Sequence, residues 1–234
     1  MESSQKALVI IPAYNEEMSV GKVIEDIKHH LPQVDILVVN DGSIDGTGDI
    51  SREKGVWVLD HPYNMGIGAT MQTGFLFAFQ NDYDLAIQVD GDGQHDPKYL
   101  IELISPLLKK EANVVIGSRY LKEKGFKSSF LRRVGIRFFS ILCYILSGER
   151  VTDPTSGFRA FDKKVVDFFS KEYPSDYPEA ESIILLHKKG FAFKEIPVIM
   201  KERQGGISSI NLFKSVYYMV KVTLSMLIGR LKRG

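Results

Sequence analysis

Two aspartates, Asp90 and Asp92, end an apolar run in the stretch LAIQVDGDGQHDP, residues 85–97. At a strand end with glycine on either side, both carboxylates can turn toward one point. Gly91 and Gly93 carry no side chain to obstruct a close ligand. Gln94 and His95 add further donors and acceptors. Clustered oxygens of this kind suit a hard divalent cation, Mg2+ or Mn2+, which keeps positions open for phosphates. A bare D-x-D is also a common Asp/Gly turn, so the pair alone leaves both readings open.

Other polar clusters follow other apolar runs. Asp41-Gly42-Ser43 ends a second run, where a carboxylate can accept from a nucleobase N–H or a ribose hydroxyl, or form only a turn. Pro12, Tyr14 and Glu16 in PAYNEE add an aromatic face and another acid, with Asn15 a candidate N-cap. Asn64-Met65-Gly66-Ile67-Gly68 lacks both the G-x-G-x-x-G and the GK[ST] spacing, so a tight turn that lets a helix pack closely is expected there. Arg119, Arg132, Arg133, Arg159 and Arg203 could meet a diphosphate, since arginine binds phosphate through two donors, or form a solvated basic face. Glu179 and Glu181 open a helical stretch. They favour its dipole, or one serves as a general base. His29, His30, His61 and His187 share no spacing that suits zinc.

The elements that must hold these groups alternate. Continuous apolar runs at 7–11, 36–39, 56–59, 85–89 and 114–116 predict strands covered on both faces. Amphipathic stretches predict helices after Asn15, over 66–80 and from Pro97. The alternation predicts an α/β fold, a doubly wound and mainly parallel sheet over residues 1–120, with ligands outside the carboxyl ends of its strands. Further on, 130–147 reads as a largely apolar helix, DPTSGFRAF as a turn-rich link, 163–170 and 180–189 as helices, and 193–200 as a strand. Residues 207–228 read as an amphipathic helix carrying Phe213, Tyr217, Val220, Leu224 and Leu227.

The 234 residues suit one large domain, with 44% hydrophobic and 25% charged residues. Thirty Lys and Arg against 29 Asp and Glu leave a net charge of +1, which excludes a global field for nucleic acid. The single cysteine, Cys143, rules out an internal disulfide and fits a reducing compartment. The MESSQK start predicts no signal segment. The longest apolar stretches carry Arg137 and Lys214 or Lys221, and fall short of the roughly 20 residues a spanning helix needs. A soluble or membrane-surface protein is expected, cytoplasmic and peripheral on the inner face of the cell membrane.

Taken in order, IIPAYNE, VVNDGSIDGT, VDGDGQHDP, GSRY, TSGFR and the R-x-x-G of residues 203–206 resemble family 2 glycosyltransferases of the GT-A fold. The nearest resemblance is to the dolichyl-phosphate mannosyltransferase-like, polyprenyl-phosphate glycosyltransferase subgroup. It implies a catalytic domain over 1–206, with a nucleotide-sugar half at 1–120 and an acceptor half at 121–206. Residues 207–234 would form an amphipathic helix facing membrane or partner. By this resemblance Pro12, Tyr14, Glu16, Asp41 and Ser43 hold the nucleoside of a nucleoside diphosphate sugar, UDP- or GDP-linked. Asp90, Asp92 and Gln94 hold the metal, Asp90 partly directed to the donor. Arg119, Arg133 and Arg203 meet the donor diphosphate or an acceptor phosphate.

Some relatives carry an acid, TGDFR, where this chain has Gly157. A hydroxyl acceptor would then need a base from Asp153, Glu179 or Glu181, and Glu181 is the catalytic candidate. A polyprenyl phosphate is already a nucleophile and needs none. The expected reaction is therefore inverting sugar transfer to a polyprenyl phosphate, with a membrane surface or a small membrane protein as partner. Transfer to a saccharide or protein hydroxyl is the alternative, as is a non-catalytic nucleotide-sugar-binding subunit. A nucleotidyltransferase would need a Gly- and Arg-rich loop where PAYNEE stands.

Overall fold

A computed structural model describes residues 5–121, 130–175, 178–202, 221–224 and 226. Strand β1 (Ala7–Ala13) is buried along all seven residues. It is followed by α1 (Val20–His30), β2 (Asp35–Asn40), α2 (Thr47–Glu53), β3 (Trp57–Asp60), α3 (Ile67–Gln80) and β4 (Leu85–Gln88). A 3-10 turn at Pro97–Tyr99 leads into α4 (Leu100–Leu108) and β5 (Val114–Ser118). Then come α5 (Phe130–Ser147), β6 (Arg159–Asp162), α6 (Lys163–Phe169), α7 (Pro178–Lys188) and β7 (Phe193–Pro197). The seven strands form one sheet in the order β3-β2-β1-β4-β6-β5-β7. Its pairs are parallel except those of β6, which runs antiparallel to both β4 and β5.

Alternation along β1 explains the two covered faces. Val9 and Ile11 join one cluster with Val20, Val23, Ile24 and Ile27 of α1 and Leu103 and Leu107 of α4. Leu8 and Ile10 point the other way, to Met71 and Phe75 of α3, Phe169 of α6 and Ile183 of α7. Each such side chain contributes about 1.5–3 kcal/mol on burial.

Four expectations change. The short α2 was not legible, because it buries Thr47, Gly48 and Ser51 and so lacks an apolar period. The supposed link DPTSGFRAF contains β6, a central strand whose buried Arg159 hides it from hydrophobic patterning. Asn15 is no N-cap: its φ of 54° reverses the chain, and Ser19 precedes α1. Because β6 lies between β4 and β5, residues before and after 120 share one sheet. In the last helical stretch Val222 and Met226 are buried and Leu224 is exposed, while Phe213, Tyr217, Val220 and Leu227 lie outside the described residues.

Gly74 lies where α3 crosses β1, and a Cβ there would overlap Ile10 Cγ2. Alanine would favour the helix by about 1 kcal/mol over glycine. The stiff, β-branched Ile10 cannot yield, so overpacking of about 1–3 kcal/mol should win. Gly74→Ala should therefore lower stability, read as a reduced urea midpoint with unchanged slope.

Candidate active site

The loops after β1 and β2 are joined by reciprocal hydrogen bonds. Asn15 donates its N–H to Ser43 Oγ (2.9 Å), and Ile44 donates its N–H to Asn15 Oδ1 (3.0 Å). Glu16 donates its N–H to Thr47 Oγ1 (2.8 Å), and Gly46 to Glu17 Oε2 (2.9 Å). These bonds pair the loops that carry Pro12, Tyr14, Glu16, Asp41 and Ser43. The Tyr14 ring is 46% exposed at this edge, as a stacking surface must be, and Glu16 is nearly buried.

Asp41 has a role that its D-G-S context does not signal. Its carboxylate accepts from the N–H groups of Met65 (2.8 Å) and Gly66 (2.9 Å), and His61 Nδ1 lies 2.8 Å from Oδ1. On its other side His61 Nε2 meets Thr73 Oγ1 of α3 at 2.9 Å. Asp41 thus ties the 61–66 loop to the end of β2. The close packing expected of the Gly66–Gly68 stretch is present, since a Cβ on Gly68 would overlap the Ser175 carbonyl.

The D-G-D loop packs directly on the first of these loops. A Cβ on Gly91 would stand 3.3 Å from the Pro12 carbonyl and 3.6 Å from Glu16 Cγ, and Ser19 Oγ donates to the Gly91 carbonyl at 2.7 Å. Gly93, with φ of 78°, turns the chain so that Gln94 N–H reaches Asp92 Oδ1 at 2.9 Å. Asp90 takes Gln88 Nε2 on Oδ1 at 3.1 Å, and its side chain remains 37% exposed. Among the described residues no group of three His, Cys, Asp or Glu side chains forms a metal cage. Two carboxylates and the Gln94 amide are nonetheless an all-oxygen donor set. They fit a hard cation that completes its shell with phosphate oxygens and water.

Because β6 is antiparallel, its amino-terminal end lies beside the carboxyl ends of β4 and β5. Gly157 therefore faces Asp90: a Cβ there would stand 2.8 Å from Gln88 Nε2 and 3.3 Å from both Asp90 oxygens. Arg119, just past β5, is held by the fully buried Asp153 through Nε (2.6 Å) and Nη2 (2.7 Å), with Thr155 Oγ1 at 3.0 Å from Nη2. Burial would lower the Arg119 pKa, but the hydrogen bonds and charge of Asp153, with Asp90 also contributing, leave it raised. Glu195 on β7 accepts from the N–H groups of Thr152 (2.8 Å) and Asp153 (3.0 Å), fixing the loop that carries Asp153. Burial raises its carboxyl.

Three candidates change character. Asp153 has both oxygens engaged by Arg119, so it is an arginine anchor and not an available base. Arg159 is 1% exposed and donates to the carbonyls of Ser156 (2.7 Å) and Pro154 (2.9 Å) and to Ser182 Oγ (2.9 Å). It holds the 154–156 turn onto α7 and is not available to a diphosphate. Glu179, at the start of α7, has its carboxyl raised by burial, with Arg159 opposing and Asp90 adding to the rise. Glu181 is half-buried one residue beyond Ala180, and Arg133 is exposed on the first turn of α5. No hydrogen bond among the described residues links Arg133 to the cluster, and Arg203 lies outside the described residues. His61, Gln88 and Glu195 escaped the sequence reading because no local spacing marks them.

The cluster thus gathers a cation-type donor set, a nucleoside-type shelf and an oriented arginine at the carboxyl edge of an α/β sheet. Residues 8–169, which run from the second residue of β1 through α6, match the family described as Glycosyl transferase family 2. The chain belongs to glycosyl transferase family 2. This transferase is 31% identical over 210 residues to the UDP-N-acetylglucosamine–dolichyl-phosphate N-acetylglucosaminyltransferase of Methanococcus voltae, covering 81% of this chain and 83% of that one. It is 30% identical over 241 residues to the polyprenol monophosphomannose synthase of Mycolicibacterium smegmatis, covering 99% and 91%. In fold it matches a GT-A synthase, glucosyl-3-phosphoglycerate synthase from Mycobacterium tuberculosis, solved with Mn2+, UDP and glucosyl-3-phosphoglycerate. The TM-score is 0.73 at 18% identity, covering 97% of this chain and 80% of that one.

In this glycosyltransferase, removing Asp153 would leave Arg119, whose side chain is only 12% exposed, without its partner. Asp153→Ala should cost about 3–5 kcal/mol, and Asp153→Asn, which keeps an acceptor oxygen, should cost less. Chemical denaturation of the three proteins checks that order.

Proposed function

We propose that this family 2 enzyme transfers a sugar, with inversion, from a UDP- or GDP-linked donor to a polyprenyl phosphate. The observation that carries the reading is the wall beside Asp90. Gly157 has no side chain, a Cβ there would crowd Gln88 and Asp90, and Asp153 is committed to Arg119. No base is therefore offered from the TSG turn. A phosphate acceptor is already anionic at neutral pH and attacks the anomeric carbon without giving up a proton to the protein. Relatives named for dolichyl-phosphate and polyprenol substrates support the same acceptor.

On this reading Tyr14 offers a face to the base, while Pro12, Glu16 and Ser43 line the nucleoside shelf with Asp41 as its anchor. Asp90, Asp92 and Gln94 would hold Mg2+ or Mn2+, which supplies charge stabilisation to the departing nucleoside diphosphate. Arg119, oriented by Asp153, adds a fixed positive charge where negative charge accumulates. Arg133 and Arg203 serve the acceptor phosphate. Residues 1–120 act as the donor half and 121–206 as the acceptor half of one catalytic domain, and 207–234 serve a membrane surface or a partner.

A lipid phosphate must be met at a bilayer surface. Val134, Phe138, Ile141 and Ile145 form an exposed stripe on α5 at helical spacing, with the exposed Arg133 and Arg137 beside it. Ile136, Phe139 and Cys143 on the opposite side are buried. Among the described residues no helix is long and apolar enough to cross a membrane. An apolar stripe with flanking arginines suits the interface of an anionic bilayer, which makes the enzyme peripheral on a membrane face.

The alternative, a hydroxyl acceptor, draws on Glu179, whose carboxyl burial raises, and on its neighbour Glu181. Single-turnover transfer from UDP- and GDP-sugars to undecaprenyl phosphate, compared with soluble glycans, separates the two. Transfer to the lipid phosphate should survive Glu179→Gln and Glu181→Gln within about threefold. Asp92→Ala should cost a thousandfold or more, roughly 4 kcal/mol, with the fold intact. Transfer only to glycans, abolished by a glutamate variant, would overturn the lipid-phosphate reading. Separately, Phe138→Asp and Ile141→Asp together should reduce co-sedimentation with phosphatidylglycerol vesicles by about tenfold or more while leaving the melting temperature near that of the parent.

A further inference from the structure

We propose that Glu195, on the edge strand β7, is a positioning residue for Arg119, setting its guanidinium through Thr152 and Asp153. The proposal rests on the reading of Arg119 as an arginine that meets the donor diphosphate. Glu195 pairs with Ile116 of β5 in parallel register, and its half-buried side chain meets the segment that precedes β6. There Oε2 accepts the Thr152 N–H (2.8 Å), while Oε1 accepts the Asp153 N–H (3.0 Å) and the Thr152 hydroxyl (3.0 Å). Three donors thus converge on one carboxylate, a group that when ionised offers acceptors only.

Both residues that Glu195 holds lead to Arg119. Asp153 takes the Arg119 Nε–H (2.6 Å) and Nη2–H (2.7 Å), and also the Arg119 backbone N–H (3.1 Å). Thr152, whose hydroxyl donates to Glu195, stands 2.6 Å from Ser118 Oγ and accepts from it. Ser118 Oγ in turn accepts the Tyr120 N–H at 3.2 Å, and the Ser118 carbonyl takes the Val198 N–H (2.9 Å) just past β7. Residues 118, 119 and 120 therefore all hang on a two-residue segment that Glu195 holds. An arginine that stabilises charge in a transition state has to be in place before the reaction, and a displacement of about 1 Å can cost a hundredfold in rate. Glutamine at this position has one acceptor oxygen for three donors, and its NH2 group would oppose an N–H. The 152–153 segment would then shift and carry Asp153 out of register with Arg119.

Two readouts on the full chain test the role. The Arg119 Nε–H, buried against Asp153, should exchange slowly with solvent in an NMR experiment, and its loss in Arg119→Lys assigns the signal. Glu195→Gln should speed that exchange about tenfold or more, while the amides of β1, a strand buried along its whole length, exchange as in the parent. Single-turnover transfer to undecaprenyl phosphate from a panel of UDP- and GDP-sugars should fall about 10–100-fold at saturating donor, with the half-saturating concentration within about threefold. In an Arg119→Lys background the same change should cost less than about twofold, because the placement it disturbs is already lost. Glu195→Asp, one methylene shorter with its charge kept, should fall between the parent and Glu195→Gln in both readouts. Gly74→Ala controls for plain destabilisation: it should lower the melting temperature and leave the transfer rate within about twofold. Unchanged Arg119 exchange in Glu195→Gln would overturn the proposal, as would the full loss of rate repeated in the Arg119→Lys background. Arg119→Lys alone separates the two levels. If it is impaired while Glu195→Gln transfers at the parental rate, only the positioning role fails. If Arg119→Lys itself transfers at the parental rate, the reading of Arg119 fails.

Discussion

Strand β6 runs against its neighbours, and the geometry of the site follows from that reversal. In a purely parallel sheet the segment entering β6 would arrive at the amino edge, far from every strand end that carries a polar cluster. Running antiparallel between β4 and β5, it delivers Gly157 to the carboxylate of Asp90 and the 153–155 turn to the guanidinium of Arg119. The same four residues place Ala160 on one face of the sheet and Phe161 on the other, so the strand is held by both core clusters. Its position is secured by packing, and the site uses its flank.

Desolvation decides which charges around this edge are structural. Arg159 is buried completely, and its donors go to two carbonyls and a serine, so it cannot turn outward without leaving those groups unpaired. Asp153 is equally buried, and Arg119 meets it through two parallel bonds. Glu195 holds the backbone amides of the same turn. What stands at this edge is therefore Arg119, oriented by Asp153 and near the carboxylate of Asp90.

Most of the frame was legible from residues alone. Continuous apolar runs located β1, β2, β4 and β5, and the helical periods of α1 and α4 followed from Val20–Ile27 and Leu100–Leu107, because burial of one face leaves a regular imprint. The six spaced motifs, with the rule that sheet ligands sit at carboxyl ends, brought Pro12, Asp41, Asp90 and Arg119 to one edge. Elements whose stability comes from something other than apolar area were not legible. Helix α2 packs through small and hydroxyl side chains, and β6 carries an arginine where a buried strand should be apolar. Long-range pairing was hidden for the same reason. No local signal says that Asp153 faces Arg119, 34 residues away, or that His61 bridges Asp41 to Thr73. Those partners are products of topology.

That pairing bears on why a transferase of this design would use a cation. Burial raises the carboxyl of Glu179, with Arg159 opposing and Asp90 adding to the rise, so the acids of this edge act on one another. A nucleoside diphosphate sugar approaching alone would meet like charge, which in a partly desolvated cleft is costly. A donor that arrives with a divalent cation reverses the sign: the cation satisfies the two aspartates, and its remaining positions satisfy the diphosphate. Gln88 engages Asp90 through a neutral amide, which leaves the charge of that carboxylate in place. On the proposed reading, the cation and the donor therefore complete the site together.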